Sequence, residues 1–314
     1  TIIQDSKKFC KSDLVIIFWE LCNIIDGLQY KANLMSDDEV SSIISKVQAE
    51  IDFVLSNLQN TSLVICNKFS SLIFNHCNIK TNNFDKICSQ LNKYLENKAP
   101  VNFVIIDVDK ILAKISIEAS IDYRYYYSSK ALYSVSFFRE YSRGIKPIIL
   151  AVKGKAKKAL ILDCDNTLWK GILGEDGFEN IQMSSQVKEG VPFEEVQHLA
   201  LDLSKQGIVI GLCSKNNEQD VQEVIDKHPD MKLLNDNITI KKINWNDKVN
   251  NLKSIATELN IGIDSIVFVD DSDFEVDLIS NQLPEVEVLK VPSNLYQYPQ
   301  MIREHLGLFY NLST

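Results

Sequence analysis

The 314-residue chain has 45% hydrophobic and 24% charged residues, a composition typical of a soluble globular protein, and it is long enough for two domains with separate cores. Its charge is uneven, since residues 1–155 carry 19 Lys and Arg against 16 Asp and Glu, whereas residues 156–314 carry 14 against 26. The acidic second half argues against a nucleic-acid partner, and no apolar run is long enough to predict a membrane span.

The cysteines give no indication of a disulfide framework. They are odd in number, form no CxxC pair and mostly fall in apolar segments, at positions 10, 22, 66, 77, 88, 164 and 213. This pattern is typical of reduced thiols and predicts a cytoplasmic protein.

Strands and helices alternate in the first half. Ser36, with Glu39 three residues later, predicts a capping box that begins a long helix ending near Asn60. A second helix is predicted at 82–97, and strands are predicted at 13–20, 63–66 and 101–108. Strands separated by helices predict a parallel sheet with right-handed crossovers.

The first half contains no recognisable catalytic motif. Gly27 is its only glycine before position 144, which excludes a glycine-rich phosphate loop, and His76 has no visible catalytic partner, so a structural role is favoured. Residues 122–133 combine tyrosines with Arg124 and Lys130. These residues fit either a binding surface or a half-buried packing segment, and packing is favoured for so many large rings.

A short basic stretch at residues 151–158, A-V-K-G-K-A-K-K, is predicted to join two domains, 1–155 and 156–314. In the second half, helices are predicted at 191–206, at 217–228, after Asn246 or Asp247, and near 299–306. Strands are predicted at 159–162, 208–213, 238–240, 266–269 and 286–291. Gly207 is expected to end the first of these helices.

The strand at 159–162 is followed by Asp163 and Asp165. Because the acids are two residues apart, strand geometry directs both carboxylates the same way, beyond the carboxyl end, where ligands of open α/β sheets bind. Two acids this close favour a hard cation such as Mg²⁺. The alternative for this stretch alone is a solvated turn.

Two other strands of the second half also end in polar residues, Ser214 with Lys215 and Asp270 with Asp271. In a parallel sheet all three sets lie at one edge, and the order of these motifs predicts phosphoryl transfer.

In this mechanism Asp163 attacks phosphorus while Mg²⁺, held by Asp163 and Asp270, neutralises charge. Asp165 protonates the leaving oxygen and later activates water. Ser214 donates a hydrogen bond to the phosphoryl group and Lys248 offsets its charge. The alternatives are a strand-end cap for Ser214 and a solvated helix residue for Lys248.

The motifs D-C-D-N-T, L-C-S-K-N, a helix-borne lysine and V-D-D-S resemble those of the haloacid dehalogenase superfamily. More closely, L-D-C-D-N-T-L-W-K-G-I-L-G-E-D-G and C-S-K-N-N resemble the FkbH-like family, subfamily IIIC. The resemblance covers residues 157–305 and implies a doubly wound parallel sheet. The first domain resembles that family's SGNH-like region more loosely, and it is expected to be non-catalytic because no Gly-Asp-Ser element is present.

The resemblance implies that Asp163 is the nucleophile, Asp165 the acid/base, Ser214 the phosphate donor group and Lys248 the motif lysine. We assign phosphate binding to Ser214, Lys215 and Asn216. We assign metal binding to four acids, Asp163, Asp165, Asp270 and Asp271. Lys170 departs from the pattern, since many relatives carry Gly there.

The resemblance also implies that 1,3-bisphosphoglycerate, a phosphorylated three-carbon acyl donor, supplies a glyceryl unit to an acyl carrier protein as a thioester. The spacing leaves no room for a large cap, so part of the site wall is expected from a partner or from a bulky substrate such as a phosphopantetheine arm. If the enzyme itself carries the acyl group, Cys213 is the candidate thiol, although a buried core role is favoured for Cys164 and Cys213. The alternatives are a C0-type phosphatase and a non-enzymatic carrier-protein docking module.

Overall fold

The computed structural model describes residues 12–310, so Cys10 lies outside the described residues. The chain divides into two compact units between Gly144 and Ile145. This division falls inside a helix, Val135–Val152, rather than between residues 155 and 156.

The first unit contains a parallel sheet with the order β1-β2-β3, formed by Val15–Ile17, Val64–Asn67 and Phe103–Ile106. The longer helices are α1 (Asp37–Leu58), α2 (Asn83–Lys98), α3 (Val108–Ile115) and α4 (Val135–Val152), the last of which spans the division. Shorter helices lie at Leu21–Ile24, Leu28–Lys31, Leu72–Asn75, Ile117–Ser120 and Tyr123–Ser129, with a 3₁₀ turn at Ala32–Leu34.

The predicted capping box at the start of α1 is present. Glu39 N donates to Ser36 Oγ, and Ser36 N donates to Glu39 Oε2 at 2.8 Å. Two otherwise unpaired helix N–H groups are thereby satisfied. Behind this cap, α1 buries one apolar face against the sheet and α2, through Val40, Ile44, Val47, Ile51, Leu55 and Leu58.

β1 is shorter than the predicted strand at 13–20, because Asn67 takes over the hydrogen bonds beyond Ile17. Trp19 N donates to Asn67 Oδ1 at 3.0 Å, and Asn67 Nδ2 donates to Trp19 O at 2.9 Å. The side chain thus replaces the strand ladder.

The tyrosine-rich segment packs through Tyr126 and Tyr133. Tyr126 is 1% exposed and its hydroxyl accepts a hydrogen bond from Gln29, whereas Tyr125 and Tyr127 are largely exposed. Arg124 pairs with Asp122 next to these rings. Packing therefore accounts for Tyr126 and Tyr133, whereas Tyr125 and Tyr127 lie at the surface.

The second unit contains a five-stranded parallel sheet of order β6-β5-β4-β7-β8. The strands are β4 (Ala159–Leu162), β5 (Val209–Ser214), β6 (Ile240–Ile243), β7 (Ile266–Asp270) and β8 (Glu287–Lys290). The longer helices are α5 (Val191–Lys205), α6 (Glu218–Lys227), α7 (Lys248–Glu258), α8 (Asp273–Gln282) and α9 (Tyr298–His305). Short helices lie at Leu173–Asp176, Asn235–Asn237, Ile263–Ser265, Leu295–Gln297 and Leu306–Phe309.

Separate apolar clusters contribute to the core on either side of β4, the central strand. Leu160 and Leu162 belong to the cluster that includes residues of α5, α6 and α9. Ala159 and Ile161 belong to the cluster that includes residues of α7 and α8. A strand buried on both faces needs a continuous apolar run, so the predicted doubly wound parallel sheet is confirmed.

β6 begins where the short strand predicted at 238–240 ends. Its register is set by pairing with β5, in which Gly211 lies opposite Ile240. Lys241 and Lys242 weakened the strand signal because they are polar, as residues on edge strands often are. No helix within residues 12–310 is long and apolar enough to cross a membrane.

The close packing of β5 predicts that Gly211→Ala destabilises the second unit. An added Cβ would lie 2.7 Å from Ile161 Cδ1 and 2.7 Å from Ile240 Cγ2, so the neighbours must shift. We expect a loss of roughly 1–3 kcal/mol, visible as a lower melting temperature in calorimetry. Gly174→Ala is the control, because nothing lies within 4 Å of its Cβ position. Equal melting temperatures for the two variants would contradict this packing.

Candidate active site

Three strand ends of the second unit bring the predicted residues to one edge of the sheet. Asp163 follows β4 directly, and its N–H donates to Val269 O of β7 at 3.0 Å. Asp270 is the last residue of β7, and Ser214 is the last residue of β5. The parallel pairing of β4 with both neighbours therefore gathers the three polar sets at the carboxyl edge.

Asp163, Asp270 and Asp271 form a group of three carboxylates. One oxygen from each lies within 4.8 Å of the others, and Asp163 and Asp270 are buried. An Asn166 side chain hydrogen-bonds to Asp271. Oxygen ligands at this separation suit a hard divalent cation.

Lys248 joins two of these acids at the start of α7. Its Nζ lies 3.0 Å from Asp163 Oδ2 and 2.6 Å from Asp270 Oδ2, and the residue is only 3% exposed. Burial lowers the pKa of Lys248, but the two carboxylates outweigh it and raise the pKa above its usual value. The ammonium is thus held charged, and the solvated-helix interpretation of Lys248 is wrong.

The acids carry more negative charge than one lysine neutralises. Burial, followed by the charge of Asp163, raises the pKa of Asp270 to about 6 although Lys248 opposes the shift. Within residues 12–310, the buried Asp163 Oδ1 has no hydrogen-bond partner. An unpartnered buried carboxylate oxygen is costly, so these residues fit a bound Mg²⁺.

Asp165 lies beside this group rather than within it. Its Oδ1 accepts hydrogen bonds at 3.0 Å from Trp169 Nε1 and from Leu173 N, and its Oδ2 accepts one at 2.9 Å from Asn216 Nδ2. This differs from the predicted metal-ligand set, since the side chain of Asp165 is not among the three clustered carboxylates. Burial is the main cause of its raised pKa, which favours a proton-carrying role.

The three residues assigned to phosphate binding have different surroundings. Ser214 is buried at the strand end, and its side chain hydrogen-bonds to Cys164. Asn216 is buried, and its side-chain amide donates a hydrogen bond to the Asp165 carboxylate. Lys215 donates to Glu275 Oε1 at 2.6 Å and is partly exposed. Ser214 and Asn216 therefore belong to the interior of the site, and Lys215 lies nearer the solvent.

Cys213 lies in the apolar cluster that includes α7 and α8 residues, with no exposed surface. Burial raises the pKa of Cys213 to about 12, so the thiol is protonated at neutral pH. Cys164 is also fully buried, and burial raises its pKa well above the usual value. The structure favours the core role for both thiols over the candidate acyl-carrying role of Cys213.

Sequence reasoning did not single out several residues that complete the site. Trp169 and Asn166 position Asp165 and Asp271, and Asn166 adopts a left-handed φ of 51° while its Oδ1 accepts from Gly171 N. Tyr298 of α9 donates to Thr167 O at 3.0 Å and so holds the same loop. The signal for Asn166 was the D-N-T turn, since Asn tolerates this backbone conformation.

No family model and no curated protein matches the chain. Among solved structures, it is similar to the N-terminal part of the protein BF1531 from Bacteroides fragilis, which contains a phosphatase domain and was crystallised in complex with Mg. The two share 33% identity and a TM-score of 0.82 over 100% of this chain and 83% of that chain. The chain belongs to the same family. This family has the haloacid dehalogenase-like fold that the motifs indicate, and the Mg in that crystal structure agrees with the predicted cofactor.

Two further solved structures have low TM-scores. An uncharacterised protein from Corynebacterium glutamicum has 15% identity and a TM-score of 0.34, covering 48% of this chain and 94% of its own. The 3-deoxy-D-manno-octulosonate 8-phosphate phosphatase from Moraxella catarrhalis has 18% identity and a TM-score of 0.29, covering 42% of this chain and 67% of its own. Neither supports a conclusion about this chain.

The buried ion pairs predict that Lys248→Met destabilises the second unit by roughly 3–5 kcal/mol at pH 8, because Asp163 and Asp270 lose their cation. The loss should shrink as the pH falls toward about 6, because without Lys248 the pKa of Asp270 rises further and the buried carboxyl group takes up a proton. Thermal unfolding at both pH values measures the effect.

Lys253→Met, at an exposed position of α7, is the matched control and should be nearly neutral. Mg²⁺ should raise the melting temperature of Lys248→Met, since the ion replaces part of the missing charge. A Lys248→Met protein as stable as the control at pH 8 would refute the ion-pair argument.

Proposed function

We propose that the second unit is a Mg²⁺-dependent phosphatase in which Asp163 is the nucleophile. The observation that carries this proposal is the carboxylate of Asp163, whose Oδ2 contacts Lys248 while its buried Oδ1 lacks a partner within the described residues. A buried carboxylate that Lys248 holds in one orientation, beside the two other acids, is suited to attack an electrophile. The family relationship to a phosphatase-containing protein supports the same reaction.

Asp163, Asp270 and Asp271 would hold the Mg²⁺. When bound, the ion supplies charge neutralisation that lets an anionic nucleophile approach a phosphate dianion. Lys248 adds a second, permanent positive charge at the same carboxylates. The Ser214 hydroxyl donates a hydrogen bond to a phosphoryl oxygen and so holds the phosphoryl group at the end of β5.

In the first step, Asp163 forms a bond to phosphorus while the bond from phosphorus to the leaving oxygen breaks. Asp165 gives its proton to that oxygen. In the second step, water attacks the phosphorus of the aspartyl-phosphate and gives a proton to Asp165, which releases phosphate and restores the Asp163 carboxylate. The raised pKa of Asp165 suits both transfers, and its three hydrogen bonds keep the carboxyl group in place.

The finer function that we propose is acyl loading of a carrier protein, using 1,3-bisphosphoglycerate as the donor. It is supported by the FkbH-like motifs and by the short segments between the site residues, which contain no large cap within residues 12–310. Because Cys164 and Cys213 are buried, the phosphopantetheine thiol of the carrier attacks the acyl carbon directly. In this step the acyl–oxygen bond breaks and phosphate leaves. The aspartate site removes the other phosphate beforehand, while the acyl end of the donor is still anionic.

We expect Asp163→Asn to lower phosphate release from p-nitrophenyl phosphate by about 10³-fold or more, because it removes the nucleophile. Asp165→Asn should instead trap the phosphorylated enzyme. The first step still occurs, because p-nitrophenolate is a good leaving group that needs no proton from an acid, whereas the second step stops because no base accepts a proton from the attacking water. Intact-protein mass spectrometry then shows the gain of one phosphoryl group.

Asp202→Asn is the matched control for this pair, since Asp202 is an exposed acid of α5. It should retain normal turnover. Full activity of Asp163→Asn with Mg²⁺ present would exclude the proposed nucleophile.

Carrier loading is tested by incubating the enzyme with the acyl phosphate and a phosphopantetheinylated carrier, and by following the carrier mass. We expect a mass gain that is the same for the wild type and for Cys213→Ala, because the thiol is buried in the core. Phosphate release without a mass gain would favour a C0-type phosphatase. Neither phosphate release nor a mass gain would favour a docking module.

A further inference from the structure

Lys215 lies at the solvent side of the site. Its side chain is 35% exposed, whereas the groups at the reaction centre are buried, with Asp163 at 6% and Asp270 fully enclosed. It directly follows Ser214 at the end of β5, so it stays at the same edge of the sheet. Ligands of open parallel sheets bind outside this edge, so the part of a substrate that stays outside the buried centre lies at the edge that Lys215 shares.

Glu275 of α8 fixes the position of Lys215. Its Oε1 accepts a hydrogen bond from Lys215 Nζ at 2.6 Å, and the residue is only 6% exposed. The same α8 terminus is tied to the reaction centre, since Ser272 N donates to Asp270 Oδ1 and Glu275 N donates to Ser272 Oγ. Movement of Asp270 or of Lys215 is therefore resisted by one connected set of contacts.

The Glu275 carboxylate is poorly explained by stability alone. Within residues 12–310, its buried Oε2 has no hydrogen-bond partner, and leaving a buried acceptor unsatisfied costs roughly 1–3 kcal/mol. Lys215 is partly exposed, and its single ion pair with Glu275 does not satisfy this second oxygen. The arrangement is better explained by a need to hold the ammonium in one place.

We propose that Lys215, positioned by Glu275, binds an anionic group on the leaving-group half of the substrate. A lysine ammonium has three donors and one is used by Glu275, so two N–H groups remain for a ligand. Lys215 thereby selects phosphorylated acids over neutral phosphate esters. This inference rests on the proposed phosphatase function, and it replaces the predicted role of Lys215 in binding the transferred phosphate.

The test compares 3-phosphoglycerate with glycerol 3-phosphate, which differ in a carboxylate against a neutral hydroxymethyl group. With the full chain and Mg²⁺, we expect kcat/KM to favour the acid by about tenfold or more, mainly through KM, because a charged hydrogen bond is gained. Lys215→Met should reduce this preference to within about threefold. A general loss of activity lowers kcat/KM for both substrates equally, so it leaves the ratio of the two kcat/KM values unchanged.

Variants at Lys215 and Glu275 distinguish a positioning role of Glu275 from an effect of the lysine charge alone. Lys215→Arg keeps the cation and should keep the preference. Glu275→Ala removes the acceptor and should reduce the preference, whereas Glu275→Gln keeps an acceptor oxygen and should retain most of it. Lys241→Met removes a positive charge that contacts Gln222 and Asn235 instead, and it should leave the ratio unchanged.

An unchanged preference in Lys215→Met, or no preference in the wild type, would overturn the role of Lys215. An unchanged preference in Glu275→Ala would overturn the positioning role of Glu275. Hydrolysis of p-nitrophenyl phosphate reports separately on the proposed function.

If no phosphate ester is hydrolysed, the phosphatase proposal fails, and calorimetric titration of the two ligands into the wild type and Lys215→Met decides the inference. Tighter binding of 3-phosphoglycerate that is lost in the variant supports it, and equal binding of both ligands refutes it.

Discussion

The contact of Lys248 with Asp163 and Asp270 is the interaction on which the second unit depends. Three side chains meet there, from the residue after β4, from α7 and from β7, and each is almost completely removed from water. Removing charges from water costs several kcal/mol per ion, and mutual attraction offsets this cost only when the geometry is good. The fold thus contains a cluster of buried charges at the carboxyl edge of its sheet, although burying these charges costs free energy. Stability alone does not explain such a cluster.

The surrounding structure is arranged to keep this cluster in place. β4 lies between β5 and β7 and is buried on both faces, so its carboxyl end has little freedom to move. The loop after Asp163 is fixed by hydrogen bonds from Trp169 and Leu173 to Asp165 and by the contact between Asn166 and Asp271. Such rigidity lets the groups act without rearranging during the reaction.

Much of this architecture was predictable because buried parallel strands have a strong signature. The apolar run at Ala159–Leu162 followed by Asp163 located both a central strand and the edge where ligands bind. β6 was harder to place because Lys241 and Lys242 interrupt its apolar pattern, and β1 was overextended because the Asn67 side chain ends its ladder. Both errors come from contacts between residues distant in sequence.

The sequence predicted most residues of the site, but it did not predict which side chains hydrogen-bond to them. Motif order identified Asp163, Ser214, Lys248 and Asp270, yet it did not show that Asn216 holds Asp165 or that Glu275 holds Lys215. The Lys215 and Glu275 positions are 60 residues apart, and no local pattern relates them. Side-chain pairing across separate helices and strands is decided by tertiary packing.

The contact between Tyr298 and Thr167 has a consequence for biosynthesis. The tyrosine hydroxyl lies 3.0 Å from the carbonyl oxygen of a residue that is synthesised 131 positions earlier. While a ribosome is still translating the intervening segment, the nascent loop that carries Asp165 lacks this anchor. This anchor of the loop therefore forms only after α9 has emerged and docked on α5.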